Sequence, residues 1–168
     1  MTFLGHVIAP TFEFVDPNDT LKAKPEINFG KISYDFDYKE CIILKNTSSV
    51  EFNFNLKIQS ESKILQNEFR ILPQSGTIAE KSEKLIEIEF TPKSVKKYET
   101  VMTIDIEGVG NDMLSVPIKA DCQVPNVDIT PAEKVEFAEA CLYYPETKTI
   151  ILNNHSDIKA KFNIIPQS

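Results

Sequence analysis

The stretch IILKNTSSVEFNFNLKI, residues 42–58, decides the fold. In its second half Phe52, Phe54, Leu56 and Ile58 alternate with Asn53, Asn55 and Lys57. Successive side chains of a strand point to opposite faces, so this is a half-buried β-strand. Asn46-Thr47-Ser48-Ser49 is a run of turn formers, and the apolar residues before it read as a second strand.

The same period of two recurs outward from there. KLIEIEF (84–90) sets Ile86, Ile88 and Phe90 against Glu87 and Glu89, and YETVMTIDI (98–106) points Met102, Ile104 and Ile106 one way. Turn signals at Pro73-Gln74-Ser75-Gly76, Thr91-Pro92-Lys93-Ser94 and Gly108-Val109-Gly110-Asn111 separate the segments. Seven strands are expected, near 26–29, 38–46, 50–58, 68–72, 83–91, 97–106 and 112–120, with at most a short helical turn within 59–67. Short alternating strands at this spacing predict an all-β, immunoglobulin-like sandwich. The chain has no Trp and no paired core cysteines, so it is not an antibody-type domain.

The opening stretch has an echo, IILNNHS at 150–156. One ungapped offset, 137 − 29 = 108, pairs Phe29 with Phe137, Ile42 with Ile150, Leu44 with Leu152, Asn46 with Asn154, Ser48 with Ser156 and Phe54 with Phe162. Such a period is too long for a solenoid unit and fits a whole small domain. A weaker echo joins FLGHVIAPTFEFVDP (3–17) to IKADCQVPNVDITP (118–131), with Pro10 and Pro125 as matching joints. The expected organisation is the last strand of a preceding unit over 1–10, one complete sandwich over 11–124, and the first part of a second, incomplete copy over 125–168. Three or four strands leave an apolar face uncovered. The second copy therefore predicts either a segment of a longer protein or completion by strands from another molecule.

A net charge of −7 argues against nucleic acid, whose phosphates call for Lys and Arg, and against anionic membrane surfaces. No apolar run reaches the length of a membrane helix. Three cysteines, Cys41, Cys122 and Cys141, with no paired spacing and no signal peptide, read as buried thiols of a reduced, intracellular compartment.

Catalytic and metal chemistry finds little support. His6 and His155 are the only histidines and fall in different units, too few for a metal site. Gly108-Val109-Gly110 lies between two strands, where a hairpin turn is the plain reading and a phosphate cradle is not. Asp105, Glu107 and Asp112 lack the ligand spacing of a calcium loop. No catalytic, cofactor-binding or metal residue is assigned, and no small-molecule substrate is expected. Asn46-Thr47-Ser48 and Asn154-His155-Ser156 match the N-glycosylation pattern, but Asn in left-handed backbone and Ser bonding the turn account for both. Tyr34-Asp35-Phe36 and Leu142-Tyr143-Tyr144 fall at aligned positions between strands. Aromatics there either fold back on the core or stand exposed for a partner. In the second case Tyr34, Phe36, Tyr143 and Tyr144 are the candidate contacts with proteins or neighbouring units.

The order INFG (27–30), IILKNTS, FRILPQSG (69–76), IEFTPKSVKKY (88–98) and then GVG with VPIKADC (108–122) resembles the ASH family, relatives of the major sperm protein domain. The positions carrying the resemblance are Phe29, Gly30, Asn46, Ser48, Phe54, Pro73, Gly76, Phe90, Pro92 and Tyr98, with Phe137, Asn154 and Ser156 in the second copy. There the Phe-Gly pair becomes Phe137-Ala138. VEFAEACLYYPETKTIILNNHSDIKAKFNIIPQS (135–168) resembles ciliary members of the family that are built of many such repeats. The resemblance implies a non-enzymatic scaffold of the axoneme, at the central pair of microtubules, with axonemal or cytoskeletal proteins and neighbouring units as partners. The alternative it implies is an adaptor that docks acidic or phosphorylated peptides, for which Lys93, Lys96 and Lys97 offer a small basic face.

Overall fold

Alternation becomes strand through 11–124 of the computed structural model, which describes residues 9–18, 25–59, 67–132, 134–137 and 142–165. Beyond 124 only 127–130 and 151–154 are strand among the described residues, fewer than the three or four expected, and 134–137 and 159–165 are irregular. The strands are β1 (Phe12–Val15), β2 (Ile27–Ser33), β3 (Tyr38–Asn46), β4 (Phe52–Gln59), β5 (Phe69–Leu72), β6 (Ser75–Ile78), β7 (Glu83–Phe90), β8 (Lys97–Ile106), β9 (Gly110–Gln123), β10 (Val127–Thr130) and β11 (Ile151–Asn154). Most of the strand expected over 1–10 and most of the turn expected over 59–67 lie outside the described residues, as do His6, Ala138 and Cys141. Asn67 and Glu68, at the edge of the latter, are helical.

Two sheets form the sandwich, a four-stranded one in the order β1-β3-β7-β5 and a five-stranded one in the order β2-β9-β8-β4-β6. That is nine strands among the described residues where seven were expected. β1 adds to the edge of β3, with Phe12 opposite Asn46. β6 forms where a turn was expected: after Pro73 the chain leaves β5 and crosses to the other sheet, placing Gly76 opposite Phe54. β2 runs parallel to β9, and all the other pairs are antiparallel.

The apolar faces read from alternation meet between the sheets. Ile42, Leu44, Ile86, Ile88 and Phe90 from one sheet bury against Leu56, Met102, Ile104, Val116 and Ile118 from the other. Burying each such side chain contributes about 1.5–3 kcal/mol. Phe90 is the aromatic centre: it stacks on Phe69 with ring centroids 4.2 Å apart, and meets Phe29 at 5.3 Å and Tyr98 at 4.9 Å. The opposite faces carry the charges, with Lys39 bridging Glu87 at 3.0 Å and Glu89 at 2.6 Å across β3 and β7.

Tyr98 places its hydroxyl among polar partners at the rim of this core. It donates to the Ser94 carbonyl at 3.0 Å, accepts from the Ser94 N–H at 3.1 Å, and lies 3.2 Å from Oε1 of buried Glu68. Burial, followed by the Glu68 carboxylate, pushes the phenol up to about 12. Gly30 has a φ of +65° and sits where the β2–β9 register slips between Asn28 and Lys31. Its N–H donates to Asn28 Oδ1 at 2.9 Å. A β-carbon there would meet nothing within 4 Å, so the backbone angle alone selects glycine.

The C-terminal ribbon of β10 and β11 repeats the pairing of β1 with β3. Asn154 lies opposite Val127 as Asn46 lies opposite Phe12. The His155 N–H donates to the Asn126 carbonyl at 2.8 Å, and the Thr47 N–H to the Thr11 carbonyl at 2.9 Å.

Candidate protein-interaction surface

The two Asn-x-Ser turns are built by side chains. Asn46 Nδ2 donates to the Val50 carbonyl at 2.8 Å, and its Oδ1 accepts from the Ser48 N–H at 2.9 Å and the Ser48 hydroxyl at 2.6 Å. Asn154 Nδ2 donates to the Ile158 carbonyl at 2.7 Å, and its Oδ1 accepts from the Ser156 N–H at 3.1 Å and hydroxyl at 2.5 Å. The left-handed backbone expected at these asparagines is not found. Among described non-glycine residues positive φ occurs at Asp35, Lys81, Asp112 and Tyr143. Asparagine is used here as an Asx-turn donor and acceptor. Buried Asn46 donates a second time, to the Ala79 carbonyl at 2.9 Å, so its amide faces the sandwich and not solvent.

The aromatic loops stand outside the core. Tyr34, Tyr143 and Tyr144 are 49%, 95% and 79% exposed, which overturns the folded-back alternative for them. Phe36 is half-buried, and what covers it is the C-terminal segment: Lys161 Nζ lies 4.6 Å and Lys159 Nζ 6.0 Å from its ring centroid. Phe137 is also exposed, with Lys148 Nζ 5.9 Å from its ring. In the sandwich its counterpart Phe29 packs on Phe90.

Asp35 organises the Tyr34–Asp37 loop. Its backbone φ is 58°, and its N–H donates to the carbonyl of buried Pro92 at 3.0 Å. Its carboxylate accepts from Lys93 and, at 3.2 Å, from Lys161. The Lys161 ammonium also bonds the Asp35 carbonyl. Hydrogen bonds from Lys93 first, then Lys161, hold the Asp35 carboxyl below its ordinary value. Alongside, the buried Ser33 hydroxyl donates to the Lys159 carbonyl, and Thr91 Oγ1 donates to Asp37 at 2.7 Å. Tyr34, Val95, Val124 and Pro125 join Ser33, Asp35, Phe36, Lys159 and Lys161 around a cleft of about 410 Å³.

Sequence reasoning singled out the aromatics here but not Ser33, Asp35, Lys159 or Lys161. The legible signal was an acid between two aromatics in one copy and a Lys-Ala-Lys in the other; what joins them is a contact 126 residues long. The basic face offered for peptide docking is partly used within the chain. Lys93 is held by Asp35, and Lys96 lies over the Tyr98 ring at 4.8 Å, while all three lysines stay exposed.

Two further polar clusters pair within themselves. Lys57 bridges Asp105 and Asp112, each at 3.1 Å, and Asn53 donates to Glu107 at 2.7 Å. Among described residues no group of three or more His, Cys, Asp or Glu converges. Burial pushes both described thiols, Cys41 and Cys122, up from their ordinary value. A thiol so shifted is a poor nucleophile at neutral pH.

The profile described as Cep192 domain 3 matches residues 20–122. Hydrocephalus-inducing protein of Mus musculus is 32% identical over an alignment of 193 positions, covering 99% of this chain and 4% of the relative. Hydrocephalus-inducing protein homolog of Homo sapiens is 28% identical with the same coverage. The chain thus spans about 4% of the length of the curated relatives it matches. Among solved structures, the ASH / PapD-like domain of human CEP192 (PapD-like domain 7) superposes with a TM-score of 0.49 at 12% identity, covering 73% of this chain and 97% of that one.

Proposed function

This chain belongs to the Cep192 domain 3 family, and from that premise we propose that it is a non-enzymatic scaffold segment of a protein like hydrocephalus-inducing protein. It serves the axonemal central pair apparatus, and through it cilium assembly and motility, by protein–protein contacts. The observation that carries this reading is the match to hydrocephalus-inducing protein along 99% of the chain, both copies of the Asn-x-Ser turn included. Its partners are neighbouring units of the same kind and other axonemal or cytoskeletal proteins.

Residues 11–124 are one unit in this reading, 125–168 the opening part of a second, and 1–10 the end of a preceding one. Support comes from the matching pairings of β1 with β3 and β10 with β11, and from the shared turn bonds. The peptide-docking alternative draws on the basic face, and the commitment of Lys93 to Asp35 weakens it.

The test is to tag the full-length protein that contains this segment and image it in ciliated cells beside unciliated ones. Signal along the axoneme core is expected. Signal on internal membranes or in the cytosol, indifferent to cilia, overturns the reading in favour of the adaptor.

A further inference from the structure

We propose that the Tyr34–Asp37 loop is a charge latch that fixes the bearing of the C-terminal ribbon on the sandwich. The sandwich prepares the receiving side. The Asp35 N–H is bonded to Pro92 and its carboxylate to Lys93, so the loop is set in its left-handed turn by partners that all precede the ribbon. The segment that follows β11 and continues the ribbon supplies the key. The Lys161 ammonium takes the free side of the Asp35 carboxylate, the Asp35 carbonyl and the face of Phe36 together. An ammonium over an aromatic face is attracted by the ring quadrupole, and a carboxylate beside it adds the charge term.

A second point of attachment makes this a bearing and not a single tether. Ser33 is 1% exposed, and its hydroxyl donates to the Lys159 carbonyl, two residues from Lys161. Two attachments on the ribbon, with Val124 and Pro125 along the same cleft, define an orientation. Pro125 adds stiffness by fixing its own φ.

The equivalent loop in the ribbon shows which part is specific. Tyr143 stands 108 positions after Asp35 and shares its left-handed backbone, φ 68° against 58°. It carries no carboxylate. The loop shape is therefore common to both copies, and the ion-pair half of the latch belongs to Asp35. The latch rests on the scaffold reading for its purpose, since a rod holds partners at set spacing only if its joints hold their angle. Its geometry is tested on the isolated chain, so either can fail without the other.

Fluorophores placed through unnatural amino acids at exposed Glu99 and Asn153 report the distance from sandwich to ribbon by single-molecule energy transfer. At low salt the wild-type chain is expected to give one narrow distribution. Asp35→Tyr and Lys161→Met are each expected to broaden it, shifting the docked fraction about fivefold, the effect of one exposed charged pair. Salt at about 1 M, where the screening length is about 3 Å, does the same to wild type. Lys161→Arg keeps the charge, can lay its guanidinium on the Phe36 face, and retains the narrow distribution. Sandwich melting, followed separately, stays unchanged in the Lys161 variants and falls in Asp35→Tyr only by what its exposed pair with Lys93 supplies. A distribution that is the same in wild type, Asp35→Tyr and high salt overturns the latch, and so does one that broadens only when the sandwich itself loosens.

Discussion

Asn46 and Asn154 stand 108 positions apart and close the same turn with the same atoms, their side-chain amides reaching the carbonyls of Val50 and Ile158 at 2.8 and 2.7 Å. They differ in cover, since only Asn46 is buried and bonds a further carbonyl, that of Ala79. Asn46→Ala leaves the buried Ser48 N–H without its partner and removes the second bond to the Ala79 carbonyl, which costs about 1–3 kcal/mol. A urea melt should show that loss for Asn46→Ala. Asn154→Ala should leave the sandwich transition where it is.

Phe54 and Phe162 make the same comparison in the core. Phe54 is 3% exposed inside the sandwich, and Phe162 is 69% exposed. Phe54→Ala should destabilise by about 3–5 kcal/mol, the usual range for emptying a large aromatic site. Phe162→Ala should move the melting midpoint within the scatter of a surface change, about 0.5 kcal/mol. A Phe162→Ala loss as large as that of Phe54→Ala would mean that a second packed core covers the ribbon in solution.

Gly30 is held by its backbone angle and not by crowding, with no atom within 4 Å of a β-carbon. Gly30→Ala should therefore cost about 1–2 kcal/mol from left-handed strain alone. Gly30→Asn should recover part of that, since asparagine tolerates this region better. Chemical denaturation of the two variants side by side checks the order.

Tyr98 gives the fold an alkaline limit. Its folded value of about 12 exceeds the ordinary value near 10, so the unfolded chain releases this proton first. The contribution is complete below about pH 10 and is lost as pH rises toward 12. At full strength it is on the order of 2 kcal/mol. Tyr98→Phe keeps the contact with Phe90 but loses the hydroxyl bonds to Ser94 and Glu68. It should be less stable than wild type at pH 8 and lose less between pH 10 and 12, as read by circular dichroism.

What could be read from the residues was whatever local alternation governs. β3, β4, β5, β7 and β8 fall within a residue or two of their expected ranges, because each has an apolar face at period two. β6 was missed because Ser75-Gly76 is also a turn signal, and pairing with β4 overrides that local preference. β1 is only four residues long, and its place beside β3 is set by a partner some thirty positions away. The surface was half legible. Aromatics in a loop signal exposure or a partner, but the Lys161–Asp35 contact depends on how the ribbon folds back, which no local pattern encodes.

The measurement that bears most directly on the central claim is to excise this segment from the full-length protein in ciliated cells and examine the axoneme in cross-section by electron microscopy, with beat recorded alongside. A scaffold role predicts missing or displaced density at the central pair and an impaired beat. A complete central apparatus with normal beating would contradict it.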